Sequence, residues 1–175
     1  MVQNGRRQLR AYVVGELGTV ANVANPIPLY AGQVITPAGA EITNTACGPI
    51  VYIQIKNCGQ TPAYKVVHWG NICVREFPLT SQLPPTPILA LKNASVLGPG
   101  ILSTKYLFLP TPLTAQEISD LRAGTAAIYV YGEVDYQDAF GKKRFTKYRI
   151  MHHVGQGAIG INAGLTFADE GNEAD

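Results

Sequence analysis

The chain has 175 residues and a formal net charge of +2 at pH 7, and only 15% of its residues are charged. This length is enough for one domain with a sizeable core, and the charged fraction lies below the roughly 25% of average proteins. The 14 lysines and arginines are spread in small separate groups, which argues against a nucleic-acid-binding surface.

The first residues, MVQNGRRQLR, are basic and contain no apolar stretch. We therefore expect no secretory signal peptide. No run approaches about eighteen apolar residues, so we also expect no transmembrane helix. Residues 1–8 are predicted to form a basic N-terminal lead, and residues 9–168 a single domain.

The first half of this domain predicts strands separated by a long irregular segment. Residues 9–17 mix Tyr and Val with polar neighbours, which is typical of a strand. Residues 18–48 are rich in Asn, Pro, Gly and Thr and predict loops. Residues 50–57, IVYIQIKN, alternate apolar and partly polar positions, which indicates an antiparallel strand with one wet face.

The stretch NCGQTP, residues 57–62, predicts a corner after this strand. Asn57 and Gly59 favour a turn, and Pro62 favours an extended departure. A long strand is predicted at 63–77, with a bulge or bend at Gly70-Asn71. We expect the corner to join two strands across a sheet edge or to carry the chain from one sheet to another.

Proline and glycine residues interrupt the regular structure predicted for the middle of the chain. Residues 78–88 hold four prolines, which cannot donate to a strand ladder, so an extended crossover or an edge is predicted there. LGPG at 97–100 predicts a tight turn, and 101–109 a further strand.

One short helix is indicated near 115–123. Thr114 is the predicted N-cap, Glu117 completes a capping box, and Gly124 ends the helix. A helix of about nine residues is unstable alone, so Ile118 and Leu121 must pack against the rest of the domain.

The C-terminal part predicts a hairpin and a tail. Residues 128–154 contain two alternating arms, and the residues from Asp138 to Gly141 suit the turn between them. Residues 169–175 are acidic and poor in apolar side chains, so a disordered tail is predicted. About seven strands and one short helix favour an all-β fold, an antiparallel immunoglobulin-like β-sandwich.

The segments LRAYV, IKNCGQTPAYKV, LGPG and IYVYGEVDYQDAFGKKRFTKYR, between Leu9 and Arg149, are together similar to an uncharacterised family of proteobacterial proteins. In that family an N-terminal membrane segment usually precedes an immunoglobulin-like β-sandwich domain. The resemblance implies this fold and a tethered domain, but it implies no activity. The membrane segment has no counterpart here, and residues 20–48 match nothing in the pattern.

Three features of the sequence suggest specific chemistries. GQGAIG at 155–160 matches the G-x-G-x-x-G pattern of a dinucleotide-binding turn. The residues after it do not predict the helix that such a turn needs, so a glycine turn is favoured and no cofactor is expected. His152 and His153 point to opposite faces of a strand, which disfavours a metal site that would include His68. The three cysteines, Cys47, Cys58 and Cys73, show no metal or disulfide spacing, and we predict no disulfide among them.

Four residues of the first hairpin arm form the candidate interaction surface: Tyr129, Tyr131, Glu133 and Asp135. Exposed tyrosines on a strand are typical of a binding patch, but a satellite core that covers the helix is favoured, because Ile118 and Leu121 must be buried. Glu133 and Asp135, about 7 Å apart on one face, permit glycoside hydrolysis in principle. A salt-bridged wet face opposite Lys142, Lys143 and Arg144 is favoured instead.

The first hypothesis is therefore a non-enzymatic interaction or structural module with an unknown protein partner. The alternatives are a small hydrolase or ligand-binding protein that uses the acidic hairpin near Glu133, and a phage or surface structural subunit. Arg6, Arg7 and Arg10 favour membrane proximity through anionic headgroups. Together with the cysteines, they lead us to expect a domain on the cytoplasmic side of the inner membrane, or in the cytoplasm.

Overall fold

The computed structural model describes residues 10–21, 49–85, 94–109, 111–153 and 163–175. Their regular elements are strands and one helix, α1, at Ala115–Ala123. The strands, in chain order, are β1 (Val13–Ala21), β2 (Ile50–Asn57), β3 (Ala63–Glu76), β4 (Ser95–Leu97), β5 (Leu102–Phe108), β6 (Ala126–Gln137), β7 (Lys143–His152), β8 (Ala163–Gly164), β9 (Thr166–Phe167) and β10 (Glu173–Ala174).

The strands form two antiparallel sheets. One has four strands in the order β5-β2-β1-β8. The other has six strands, in the order β10-β7-β6-β3-β4, with β9 also paired to β7. The prediction of an all-β antiparallel sandwich is confirmed.

The core lies between the two sheets. Val51, Ile53 and Ile55 of β2 belong to one buried cluster with Ile128 and Val130 of β6. Alternate residues of β2 and β6 enter this cluster, because successive side chains of a strand point to opposite faces.

The corner after β2 carries the chain from one sheet to the other. β2 lies in the four-stranded sheet and β3 in the six-stranded sheet, so the corner is a crossing and not a hairpin. The predicted strand at 50–57 is confirmed, and that at 63–77 is confirmed as Ala63–Glu76. The first strand begins later than predicted, at Val13, and the predicted loop at 18–48 lies mostly outside the described residues.

Asn57 organises this corner from a fully buried position. Its side-chain oxygen accepts hydrogen bonds from the backbone N–H groups of Gly59 at 2.9 Å and Tyr12 at 3.3 Å. Its side-chain nitrogen donates to the carbonyl oxygens of Thr61 at 2.8 Å and Leu97 at 3.0 Å. One amide therefore ties the corner to the approach of β1 and to the end of β4.

The predicted bulge at Gly70-Asn71 is wrong. Gly70 pairs with Gly132 in regular register, and the irregularity of β3 lies between Tyr64 and Val67, where Lys65 has a φ of 50°. A different structural reason accounts for the glycine at position 70. A Cβ atom there would lie 2.5 Å from the Tyr148 hydroxyl, so the glycine gives room to a side chain and not to a bend.

The short helix is confirmed with its caps. The Glu117 backbone N–H donates to the Thr114 hydroxyl at 3.2 Å, and the Glu117 carboxylate accepts from the Thr114 backbone N–H at 2.7 Å. Gly124 ends the helix in the left-handed conformation. Leu121 is buried in the main core, which supplies the packing that so short a helix needs.

No helix in the described part of the chain combines the length and the apolar character that a membrane crossing requires.

The predicted hairpin is confirmed as β6 and β7, with Asp138 in its turn. The Asp138 carboxylate accepts hydrogen bonds from the backbone N–H groups of Phe140 and Lys142, both at 2.9 Å. It also forms a salt bridge with Arg144 at 3.1 Å.

The prediction of a disordered tail at 169–175 is wrong. Glu173 and Ala174 pair with β7 as a short edge strand, and the Glu173 carboxylate binds the Lys147 ammonium group at 3.1 Å. The tail has few apolar side chains, so composition alone predicts disorder. The tail is held in place instead by backbone pairing along the edge of β7 and by charge pairs with the basic hairpin arm.

Candidate functional site

The four residues of the candidate interaction surface share one face of β6. Tyr129, Tyr131, Glu133 and Asp135 alternate with core residues such as Val130. They therefore lie on the outer face of the six-stranded sheet, away from the four-stranded one.

The structure buries both tyrosines of this set. Tyr129 is 2% exposed and Tyr131 is 7% exposed. The Tyr131 hydroxyl donates to the carbonyl oxygen of Pro84 at 2.8 Å, and the Tyr129 hydroxyl donates to that of Glu76 at 3.2 Å. The tyrosines thus form a satellite core and not an exposed binding patch.

The element that covers them is the proline-rich segment after β3, not the helix. Phe77, Leu79 and Leu83 pack against the cluster that contains both tyrosines, Cys73 and Ala127. The Glu76 carboxylate accepts hydrogen bonds from the backbone N–H groups of Thr80 at 3.1 Å and Ser81 at 2.7 Å, which shapes the start of the segment. Residues 79–85 of the predicted crossover form neither helix nor strand, and residues 86–88 lie outside the described residues.

The described residues leave the rest of this sheet face open. We call it the open half-face and define it by five residues of three neighbouring strands: Trp69, Glu133, Asp135, Phe145 and Lys147. The register places Glu133 between Trp69 and Lys147 and places Asp135 beside Phe145. Trp69 contacts Tyr131 edge-on, with ring centroids 6.1 Å apart, so it stands at the boundary between the covered and the open parts.

A cleft opens on the other side of the same sheet, between the two layers of the sandwich. We call it the lateral cleft. It has a volume of about 180 Å³. It is lined by residues of β2, β3, β4 and β5: Ile55, Val66, His68, Ser95, Leu97, Ser103 and Lys105. β4, which borders this side of the sandwich, is only three residues long.

His68 is held in the lateral cleft by Tyr148. The Nε2 atom of His68 lies 2.7 Å from the Tyr148 hydroxyl, and the two rings are nearly parallel, with centroids 5.9 Å apart. Tyr148 lies across the inner face of β6 and β3 because Gly132 and Gly70 leave no side chain in its path. The two glycines on neighbouring strands thus leave the space in which Tyr148 reaches His68.

Burial lowers the pKa of His68 to about 4, and the positive charge of Lys105 acts in the same direction. Burial also raises the pKa of Tyr148 above its ordinary range. At neutral pH both side chains are therefore uncharged. We assign the hydroxyl as the donor to Nε2, because the described residues offer it no other acceptor. The remaining ring proton is then on Nδ1.

This assignment predicts that His68 titrates near pH 4 in the folded protein. The unfolded chain binds the same proton near pH 6.5, so the free energy of unfolding rises with pH between these values and loses this contribution as the pH falls. A ¹H NMR titration of the His68 ring measures the midpoint, with the urea-unfolded chain as the reference. A folded-state midpoint near 6.5 contradicts the assignment.

The acidic and histidine residues do not converge. Glu133 pairs with Trp69 and faces outward, whereas the adjacent pair of His68 and Val134 faces the core. His153 lies elsewhere, with its ring 3.9 Å from that of Phe77. Among the described residues, no three His, Cys, Asp or Glu side chains are placed to hold a metal ion. GQGAIG lies outside the described residues.

The cysteines within the described part of the chain are unbonded. Cys58 is exposed and Cys73 is buried, and burial raises the pKa of the Cys73 thiol. A protonated, covered thiol is a poor nucleophile. Cys47 lies outside the described residues.

The residues that shape the lateral cleft were not found by sequence reasoning. His68 was considered only as a metal ligand, and neither Lys105 nor Tyr148 was selected. The available signal was Gly70 together with Gly132, since a glycine within a strand can mark the close approach of another group. That the two glycines make room for the same side chain becomes clear only when β3 is paired with β6.

Comparison of the chain with models of protein families, with curated proteins and with solved structures gives no match.

Proposed function

We propose that the chain is an immunoglobulin-like, non-enzymatic interaction module that binds a protein partner through the open half-face. The observation that carries this proposal is the position of Trp69, the single tryptophan of the chain. It is half-buried at the edge of the open half-face, next to Glu133, with Lys147 one strand further away. Aromatic anchors bordered by charged side chains are typical of binding surfaces.

The strand order supports the immunoglobulin-like part of the proposal. In that fold, strand B lies between A and E in one sheet, and strand F lies between C and G in the other. If β1, β2 and β5 are strands A, B and E, and β3, β6 and β7 are strands C, F and G, the order of both sheets agrees with this pattern. The crossing after β2 is then the B-to-C connection.

The placement of the module is a further part of the proposal. The resemblance to a family with an N-terminal membrane segment, together with Arg6, Arg7 and Arg10, favours a domain tethered at the cytoplasmic side of the inner membrane. A hydrolase centred on Glu133 receives no such support, because the histidine of the same strand pair lies on the opposite sheet face.

Photo-crosslinking in the native host tests the binding surface. A crosslinking amino acid at Asp135 is expected to capture one discrete protein, whereas the same group at Thr104, an exposed position of the other sheet, captures none. Trp69→Ala is expected to reduce the yield at Asp135 about tenfold or more, since a hot-spot aromatic contributes about 2 kcal/mol or more. Circular dichroism verifies that this variant remains folded.

Equal capture at both positions, or no effect of Trp69→Ala, contradicts the proposal. A product of twice the chain's mass supports instead the alternative of a structural subunit that assembles with its own copies.

A further inference from the structure

The lateral cleft has the donor groups of an anion site. Lys105 brings an ammonium group, Ser103 a hydroxyl group, and His68 its ring N–H. Among the described residues, no carboxylate lines the cleft, so none of them competes there with a negatively charged ligand. Hydrogen bonds from charged donors to carboxylates are about twice as strong as neutral ones.

The hydrogen bond to Tyr148 prepares His68 for this role. An imidazole that accepts the Tyr148 hydroxyl proton at Nε2 has its own proton on Nδ1, and it is uncharged at neutral pH. It therefore donates one directed hydrogen bond, while Lys105 supplies the positive charge. The hydrogen bond to the Tyr148 hydroxyl holds the imidazole in place.

Three apolar residues, together with Ser95, form the remaining wall of the lateral cleft. Ile55, Val66 and Leu97 belong to the main core and reach the cleft from β2, β3 and β4. The volume of about 180 Å³ is similar to that of an engineered apolar cavity, about 150 Å³, that holds benzene in another protein. A ligand with a small apolar body and one anionic group matches both kinds of wall.

We propose that the lateral cleft binds a small monocarboxylate, with the carboxylate group on Lys105, His68 and Ser103 and the apolar body against Ile55, Val66 and Leu97. This site is independent of the proposed partner surface, because the open half-face lies on the other side of the six-stranded sheet. Loss of protein binding through Trp69→Ala therefore leaves carboxylate binding unchanged.

Titration of the full chain with benzoate tests the proposal, with backbone amide NMR signals of Ser103 and Lys105 as the readout. Benzoate is expected to give saturable shifts at these residues and to bind at least tenfold more tightly than benzamide, its uncharged isostere. Inorganic phosphate, which has the charge without the apolar body, is expected to bind at least tenfold more weakly than benzoate.

Lys105→Met is expected to weaken benzoate binding at least tenfold, because it keeps the length of the side chain and removes the charge. Lys142→Met is the matched control: Lys142 is exposed in the hairpin turn, far from the lining residues in sequence and absent from the lateral cleft. Equal binding of benzoate and benzamide, equal binding of phosphate, no saturable shift with benzoate, or unchanged affinity in Lys105→Met each overturns the proposal.

Discussion

Gly132→Ala is expected to destabilise the sandwich by at least about 3 kcal/mol, at the upper end of the range for overpacked cores. A Cβ atom at position 132 would overlap the Trp69 carbonyl oxygen and the Tyr148 hydroxyl, and it would lie 2.7 Å from Cζ of Tyr148. The carbonyl belongs to the backbone of β3, so it cannot move without disturbing the β3–β6 pairing. Urea unfolding measured by Trp69 fluorescence gives the change in stability.

Gly15→Ala is the matched control for this substitution. Gly15 also lies in a strand and contacts the same tyrosine, but its Cβ atom would lie 3.4 Å from the Tyr148 ring, which is close to ordinary contact. We expect this variant to lose less than about 1 kcal/mol, within the range of tolerated volume changes. Similar losses in the two variants would show that the space around Gly132 is not as tight as the structure has it.

Asn57→Asp is expected to destabilise the protein by more than about 3 kcal/mol, because a buried and a partly buried carbonyl group lose their donor and each such loss costs about 1–3 kcal/mol. The oxygen that replaces the amide nitrogen would face the carbonyl oxygens of Thr61 and Leu97. Burial of a negative charge at this fully buried position adds to the loss.

The pH dependence of the Asn57→Asp variant separates these causes. A carboxyl group in this site has a raised pKa, so its penalty is fully present above that pKa and is partly relieved as the pH falls through it. Gln60→Glu makes the same chemical change at an exposed side chain of the same corner, and we expect it to alter stability by less than about 0.5 kcal/mol. A comparable loss in the control would contradict the role of Asn57.

Local signals in the sequence predicted the elements well where one interaction decides the structure. The capping box at Thr114 and Glu117, the alternation of residues 50–57 and the turn at Asp138 are each fixed by a few neighbouring residues. The turn residues after β2 were compatible with two interpretations, and a crossing between sheets was one of them. They could not decide between the two, because the sheet to which β3 belongs depends on its pairing with β6, more than fifty residues later.

The sites were harder to predict because they depend on what covers a face. Alternation placed Tyr129 and Tyr131 on the outer face correctly, but it could not show that residues 77–85 return over them. Similarly, the acidic composition of residues 169–175 does not reveal that the edge of β7 accepts them as a strand. The meeting of His68 with Tyr148 joins residues 80 positions apart and follows from no local pattern.

The separation of the open half-face from the lateral cleft depends on β2 and β3 lying in different sheets. Nuclear Overhauser effects between backbone protons test this arrangement most directly. We expect cross-strand contacts between Gly70 and Gly132 and between Gln54 and Thr104, with none that pair residues 50–57 with residues 63–70. Regular cross-strand contacts between those two segments would make the corner a hairpin and would contradict the sandwich on which both proposed sites depend.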